Sequence, residues 1–562
     1  MSALAADRAV AARGRGRNRS RLLAGLLPAV IVGIPLALFV LYPLAHILGR
    51  SFSTPGGFGL ANYAAMLGNE RFLRITWNSF AVTLVSAALA IVFAYVFAYA
   101  VQRSTMRLRN LFRLIAILPL FAPSLVQAQG LVLLFGRNGL INRSFGLGID
   151  LYGYWGIVIA SVLYVFPYAF LILSAALAVA DARIYESAEM LGASKWRAFR
   201  TVTLPATRYG LAAAIFVCFT LVITDFGNPM VIGANYNVLA TEIYNQVIGQ
   251  ANFERGAVIG MVLLVPAAIA AIWEKYLSRR QYALISDQSK PLEIRPSPRR
   301  DWAFSAFCGL ICLAIVSVVA VVIYASFVHL WPYRMTFSLR HYQFDVQNGI
   351  QPLWNSIYIS LMAAVIGVVV VTAASYVIEK LKSPATRWLY FLSILPAAVP
   401  GMVLGLGYVL AFNNPSNPVY MIYGTLVIIA LANVYYYHAQ GFLIASTSLK
   451  QVSGSFDEAS SSLGGSRMQT LGKVTLPLIA PTLVGVAVFF FMRSMVTLSA
   501  VIFLITPQTQ VAAVSVLLLE DRGATNQAAA FSVCIMATVL AVLLVVRVAL
   551  WALGWKNVRL IR

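Results

Sequence analysis

The chain has 562 residues, 60% hydrophobic and 11% charged, with a mean hydropathy of +0.80. Soluble domains run near 45–50% apolar and about 25% charged, so a soluble globular domain is excluded and an integral membrane protein is indicated. The formal charge of +23 raises nucleic acid as a partner, and only the placement of that charge decides the point.

In chain order, the apolar runs predict twelve spans near 22–48, 77–101, 114–135, 154–180, 210–232, 256–274, 302–328, 354–378, 389–412, 420–448, 481–505 and 527–553. Each reaches about 20 residues, the length that crosses a ~30 Å hydrocarbon core. None has the short alternating pattern of an outer-membrane barrel. The first run is too long for the core of a cleavable signal and reads as a span. With the N-terminus inside, 31 of the Lys and Arg residues fall in cytoplasmic segments, 9 in outer segments and two, Arg493 and Arg547, within spans. That is the positive-inside bias, and it predicts both termini in the cytoplasm. The basic tail 1–21, with "RGRGRNRSR" at 13–21, is then an orientation signal and a contact for anionic lipid. The partner is membrane lipid and not nucleic acid. Cys218, Cys308, Cys312 and Cys534 fall inside spans and read as small buried residues, so no metal site is expected.

The same unit is written twice. "TWNSFAVTLVSAALA" (76–90) recurs as "LWNSIYISLMAAVIG" (353–367), and "LPLFAPSLVQAQG" (118–130) as "LPAAVPGMVLGLG" (395–407), both at an offset of 277. The fold class expected is therefore an all-α membrane protein of about twelve helices in two pseudo-twofold-related six-helix halves. Their boundaries are 22–277 and 302–553. A polar, proline-bearing cytoplasmic linker (278–301) joins them, and a short cytoplasmic tail (554–562) follows. Six is an even number of spans, so the repeats are parallel, with a pathway between them.

Two polar loops interrupt this pattern: "ESAEMLGASKWRAFRTVTLP" (186–205) and "EASSSLGGSRMQTLGKVTLP" (458–477), offset by 272. The first reads as a helix with Ile184, Ala188 and Leu191 on one face. A left-handed turn at Gly192 follows, which would also admit a close backbone neighbour, and then a second helix capped by Ser194. Pro205 is expected to break the chain before the fifth span. A loop that merely lies on headgroups needs no fixed register, so a duplicated register points to docking on a partner.

Both loops resemble the E-A-A, three residues, G, nine residues, I-x-L-P signature of binding-protein-dependent ABC importer permeases. The first copy supplies Glu186, Ala188, Gly192, Leu204 and Pro205, and the second Glu458, Ala459, Gly464, Leu476 and Pro477, with Ser for Ala once in each copy and Val202 and Val474 for Ile. The resemblance implies a type I importer-like fold. It implies that each loop is a coupling elbow for one of two copies of a cytoplasmic ATPase, and that a periplasmic or lipid-anchored binding protein delivers the solute. Glu186 and Glu458 would contact the ATPases, while Gly192 and Gly464 permit the bend. The chain has no G-x-x-x-x-G-K-[ST] string, the nearest being "LGKV" at 471–474. It therefore binds no cofactor and is not itself an enzyme; ATP and Mg belong to the partner.

Ionisable residues within spans are costly and mark function. Asp225 and Arg493 lie in the fifth span of each half, and the 272 offset aligns them with Thr497 and Leu221. They read either as a buried ion pair holding a gate or as a translocation pathway, with Thr497, offering opposite charges to the two ends of a solute. Residues 224–258, with "TDFGNP", "YNVLATEIY" and "GQANFERGAV", resemble the fused permeases assigned to ferric iron or 2-aminoethylphosphonate, closer to the latter branch. A zwitterion suits Asp225 and Arg493, whereas ferric iron favours carboxylate and phenolate oxygens. Thiamine is a further small solute of this kind. A secondary transporter fits the span count but leaves the two loops without a task. A membrane enzyme lacks a clustered acid–base pair, His46, His329, His341 and His438 being scattered.

Overall fold

In a computed structural model the chain is described over residues 26–54, 56–178, 182–283, 294, 296–344, 349–381 and 385–555. The tail 1–21, the middle of the linker 278–301 and residues 556–562 lie outside that description. Among the described residues nine helices are long and apolar enough to cross a membrane: Leu26–Phe52, Glu70–Arg103, Tyr154–Ala178, Lys195–Ile223, Phe253–Leu277, Pro298–Ser326, Gln351–Lys380, Arg467–Val496 and Thr525–Ala552. Three bent pairs bring the number to twelve if each counts as one span. Two short antiparallel hairpins, Ser53–Thr54 with Gly57–Phe58 and Val328–Leu330 with Arg334–Phe337, follow the first span of each half.

Three of the twelve predicted spans are bent pairs. In place of 114–135, Arg109–Phe121 and Leu125–Phe145 meet at 106°, and in place of 389–412, Thr386–Ala398 and Gly401–Phe412 meet at 113°. The cause is local. Ala122 and Val399 each precede a proline and are extended, which ends the helix and resets its direction. The 420–448 stretch is bent by 56° between Tyr436 and His438. The fifth spans stop at Ile223 and Val496, short of the predicted 232 and 505.

Each first span packs against the last span of its own half and also reaches across to the other half. Leu26–Phe52 packs against the Gly401–Phe412 helix of the other half, and Pro298–Ser326 against Leu125–Phe135. The repeated glycines of the "LP" motifs make this possible. A Cβ on Gly130 would lie 2.5 Å from the Val318 carbonyl oxygen, and one on Gly407 3.0 Å from that of Pro43. Small residues let helix backbones approach where lipid gives no hydrophobic drive for association.

The repeated Asn-Ser pair also has a task in both copies. Ser79 Oγ accepts the Leu239 N–H at 2.7 Å while Asn78 donates to the Asn237 carbonyl. Ser356 accepts from Ala512 at 2.8 Å while Asn355 donates to the carbonyls of Gln508 and Gln510. Each second span thus caps the short helix that begins after the fifth span, Leu239–Tyr244 or Ala512–Asp521, satisfying donors that helix starts leave open.

Candidate functional site: two elbows and the cavity between the halves

The first polar loop folds as Ala182–Met190, a turn, then Lys195–Ala198; the second as Gly454–Ser462, a turn, then Arg467–Thr470. Gly192 has φ +71° and Gly464 +77°, the left-handed turn expected of both. Ala193 N–H reaches the Ala188 carbonyl at 3.0 Å and Gly465 N–H that of Ser460 at 2.8 Å, closing both helices alike. Nothing lies within 4 Å of a Cβ built on either glycine, so the conformation and not a close neighbour in this chain requires them. Ser194 caps the next helix as expected, accepting from Arg197.

Glu186, Glu458 and Ala459 are exposed, and Ala188 is half-buried. Leu204 and Pro205 are exposed, as is Pro477, with Leu476 half-buried beside it. Leu191, at the tip of this elbow, is 85% exposed, and its counterpart Leu463 is 89% exposed. The matched apolar tips are a feature the sequence reading missed, although their offset of 272 carried the signal.

Pro205 does not break the chain. The second elbow helix runs without interruption into the fifth span as Lys195–Ile223, and Arg467–Val496 does the same. A π-helical turn, Phe199–Thr203 or Leu471–Thr475, precedes each proline. The wider turn absorbs the missing N–H and the ring's clash with the preceding turn. Each elbow is therefore rigidly continuous with the helix whose other end reaches the space between the halves. At 1.5 Å per residue, Arg493 lies about 39 Å along the rod from Arg467.

That space is a small, partly open cavity of about 60 Å³. Asp225, Arg493 and Thr497 all line it, as do Tyr164, Tyr168, Tyr436 and Tyr437. Asp225 and Arg493 make no ion pair. Asp225 accepts from the Asn228 side chain at 2.8 Å and the Gly227 N–H at 3.3 Å, and Ser124 also bonds it. Asn228 in turn accepts from Ala128 N, tying this corner to the Leu125–Phe135 helix. Arg493 Nη1 donates to the Tyr168 hydroxyl of the other half at 2.6 Å, and the guanidinium lies 4.9 Å from the Tyr437 ring centre. Thr497 bonds the Tyr437 hydroxyl at 2.8 Å and the Arg493 carbonyl. The tyrosines went unread in sequence because a Tyr within an apolar span looks like packing. Tyr164 and Tyr436 nonetheless stand at the 272 offset.

The family model described as "Binding-protein-dependent transport system inner membrane component" matches twice, at 90–282 and 371–553. A putative ferric transport system permease protein of Haemophilus influenzae is 30% identical, over 87% of this chain and 79% of its own length. A ferric transport system permease protein of Actinobacillus pleuropneumoniae is 29% identical, over 93% and 78%. A putative 2-aminoethylphosphonate transport system permease protein of Salmonella choleraesuis is 33% identical, over 30% of this chain and 63% of its own length. With the family model matched in both halves, the chain belongs to the binding-protein-dependent transport system inner membrane components, as a tandem-duplicated, multi-pass ABC importer permease.

Proposed function

We propose that the chain forms the whole translocation path of an ATP-driven importer, taking a small polar solute from an external binding protein to the cytoplasm. The halves are 22–277 and 302–553, with the linker 278–301 and both termini cytoplasmic. One ATPase copy docks on the Glu186–Pro205 elbow and a second on Glu458–Pro477, with Leu191 and Leu463 inserted at the contact. ATP and Mg act on those subunits, and this chain performs no covalent chemistry. Closure of the ATPases draws the elbows together, and the continuous rods carry that displacement to Arg493 and Thr497 in one half and to Asp225 just past the rod end in the other. The observation that carries this reading is the unbroken helix from elbow to cavity in both halves.

The solute we propose is 2-aminoethylphosphonate, with its phosphonate at Arg493. Asp225 is the single carboxylate among the described residues lining the cavity, so the site is poor in hard anionic ligands and offers a cation instead. Ferric iron is the second reading. It is favoured by the names of the relatives that align over most of the chain and by the phenol oxygens of the cavity.

The test is uptake of labelled 2-aminoethylphosphonate or ferric citrate in cells lacking this gene. Rescue by the wild type and its loss in the Glu186→Lys, Glu458→Lys double variant is expected for the phosphonate. Rescue for iron alone discards the phosphonate reading, and full transport by the double variant discards the elbows.

A further inference from the structure

We infer that Arg493 and Tyr168 form an oxyanion station across the seam between the halves, one that reads a phosphonate or phosphate group and takes no notice of an ammonium group. Only its place on a route across the membrane rests on the transport reading. The hydrogen bond has a direction. Arg493 Nη1 donates to the Tyr168 oxygen at 2.6 Å, so the phenol's own proton remains for a further acceptor. A guanidinium carries five N–H donors, and among the described residues no carboxylate pairs with this one. The ring of Tyr437 at 4.9 Å compensates part of the charge without supplying an acceptor oxygen to it. The cluster therefore offers two kinds of donor, from opposite halves, converging on a partly open cavity. An oxyanion satisfies both and ties the halves together while bound.

The ammonium end has no equivalent. Asp225 is the obvious partner for it, but its carboxylate already accepts from the side chain and backbone N–H of Asn228 and from the Gly227 N–H, with Ser124 bonded to it as well, which fills its acceptor sites. A cation would have to displace donors that fix the corner after the fifth span. Its pseudosymmetric position is Thr497, whose hydroxyl is held by Tyr437 and the Arg493 carbonyl. Selection of the amine, where it occurs, thus belongs to the external binding protein.

Isothermal titration of the detergent-purified full chain with methylphosphonate, 2-aminoethylphosphonate and inorganic phosphate tests this. Methylphosphonate and 2-aminoethylphosphonate are expected to bind within about threefold of each other. Arg493→Ala should weaken both by tenfold or more, and the near-isosteric Tyr168→Phe by about tenfold, the scale of one hydrogen bond to a charged group. Arg493→Lys should fall between wild type and Arg493→Ala, since an ammonium keeps the charge and loses the fork. Three results overturn the inference: no binding of methylphosphonate by the wild type at millimolar concentration, unchanged affinity in both Arg493→Ala and Tyr168→Phe, or binding that requires the amine. Binding that follows the expected pattern in a chain that supports no uptake upholds the station and counts against the transport reading.

Discussion

Lys380 Nζ and Asp457 Oδ2 form an ion pair of 2.7 Å that fastens the second elbow to the end of the Gln351–Lys380 span. The same joint exists in the first half with different chemistry. Arg103, offset by 277 from Lys380, lies 5.3 Å from the ring centre of Tyr185, offset by 272 from Asp457. Charge attraction in one half thus does what a cation over an aromatic face does in the other. Asp457→Asn is expected to cost about 1 kcal/mol, the scale of a partly exposed pair, and Asp457→Tyr to cost less by copying the first half. Thermal unfolding of the purified variants checks the order.

A second paired contact sits where the broken helices meet the corners after the fifth spans. A Cβ on Gly227 would lie 2.5 Å from Ser124 Oγ, and one on Gly401 would meet Ser499 Oγ more closely still. The offsets 277 and 272 make these the same contact with serine and glycine exchanged, so the space admits one side chain and not two. Gly227→Ser is expected to destabilise by about 1–3 kcal/mol through overpacking, and Ser124→Gly added to it should restore most of the loss. The melting temperatures of the two single variants and the double variant decide it. Independent, additive losses would reject the shared contact.

Ser79 and Ser356 cap buried helix starts from a neighbouring span. Ser79→Ala leaves the Leu239 N–H without its acceptor, with an expected cost of about 1–3 kcal/mol, and Ser356→Ala does the same at Ala512. Hydrogen exchange at those two amides should rise by tenfold or more. Unchanged exchange would mean another acceptor takes over.

Glu520 stands on the Ala512–Asp521 helix, outside the candidate spans, and accepts from Gln129 Nε2 of the other half at 2.6 Å. Burial pushes its carboxyl up to about 7, against the opposing hydrogen bonds from Gln129 and Thr525. An unfolded Glu titrates near about 4.3. Between that value and about 7 the unfolded chain sheds a proton that the folded chain keeps, so Glu520's contribution to stability falls as pH rises through this window. The wild type should melt lower at pH 8 than at pH 5.5, with much of the difference removed in Glu520→Gln. Equal pH dependence in both proteins would exclude Glu520 as its source.

Much of this protein is legible before any coordinates. Hydropathy places the spans, because a helix in lipid must satisfy its own backbone and so needs a long apolar run. The repeats at 277 and 272 set out the two halves, and the duplicated loops carry the positive-φ glycines that fix each elbow. What the sequence did not resolve depends on partners distant in the chain. The reach of each first span across to the other half hangs on Gly130 meeting Val318 and Gly407 meeting Pro43, contacts between the halves that no local pattern encodes. The continuity of elbow and span overrode the expected break at Pro205, because a π-helical turn satisfied backbone geometry that a regular helix would not. The state of the two buried charges was likewise tertiary. Asp225 turned to the donors around its own corner and Arg493 to the Tyr168 hydroxyl and the Tyr437 ring. Sequence named the two charges, but the cost of leaving either without a partner was met by side chains that only the folded halves bring within reach.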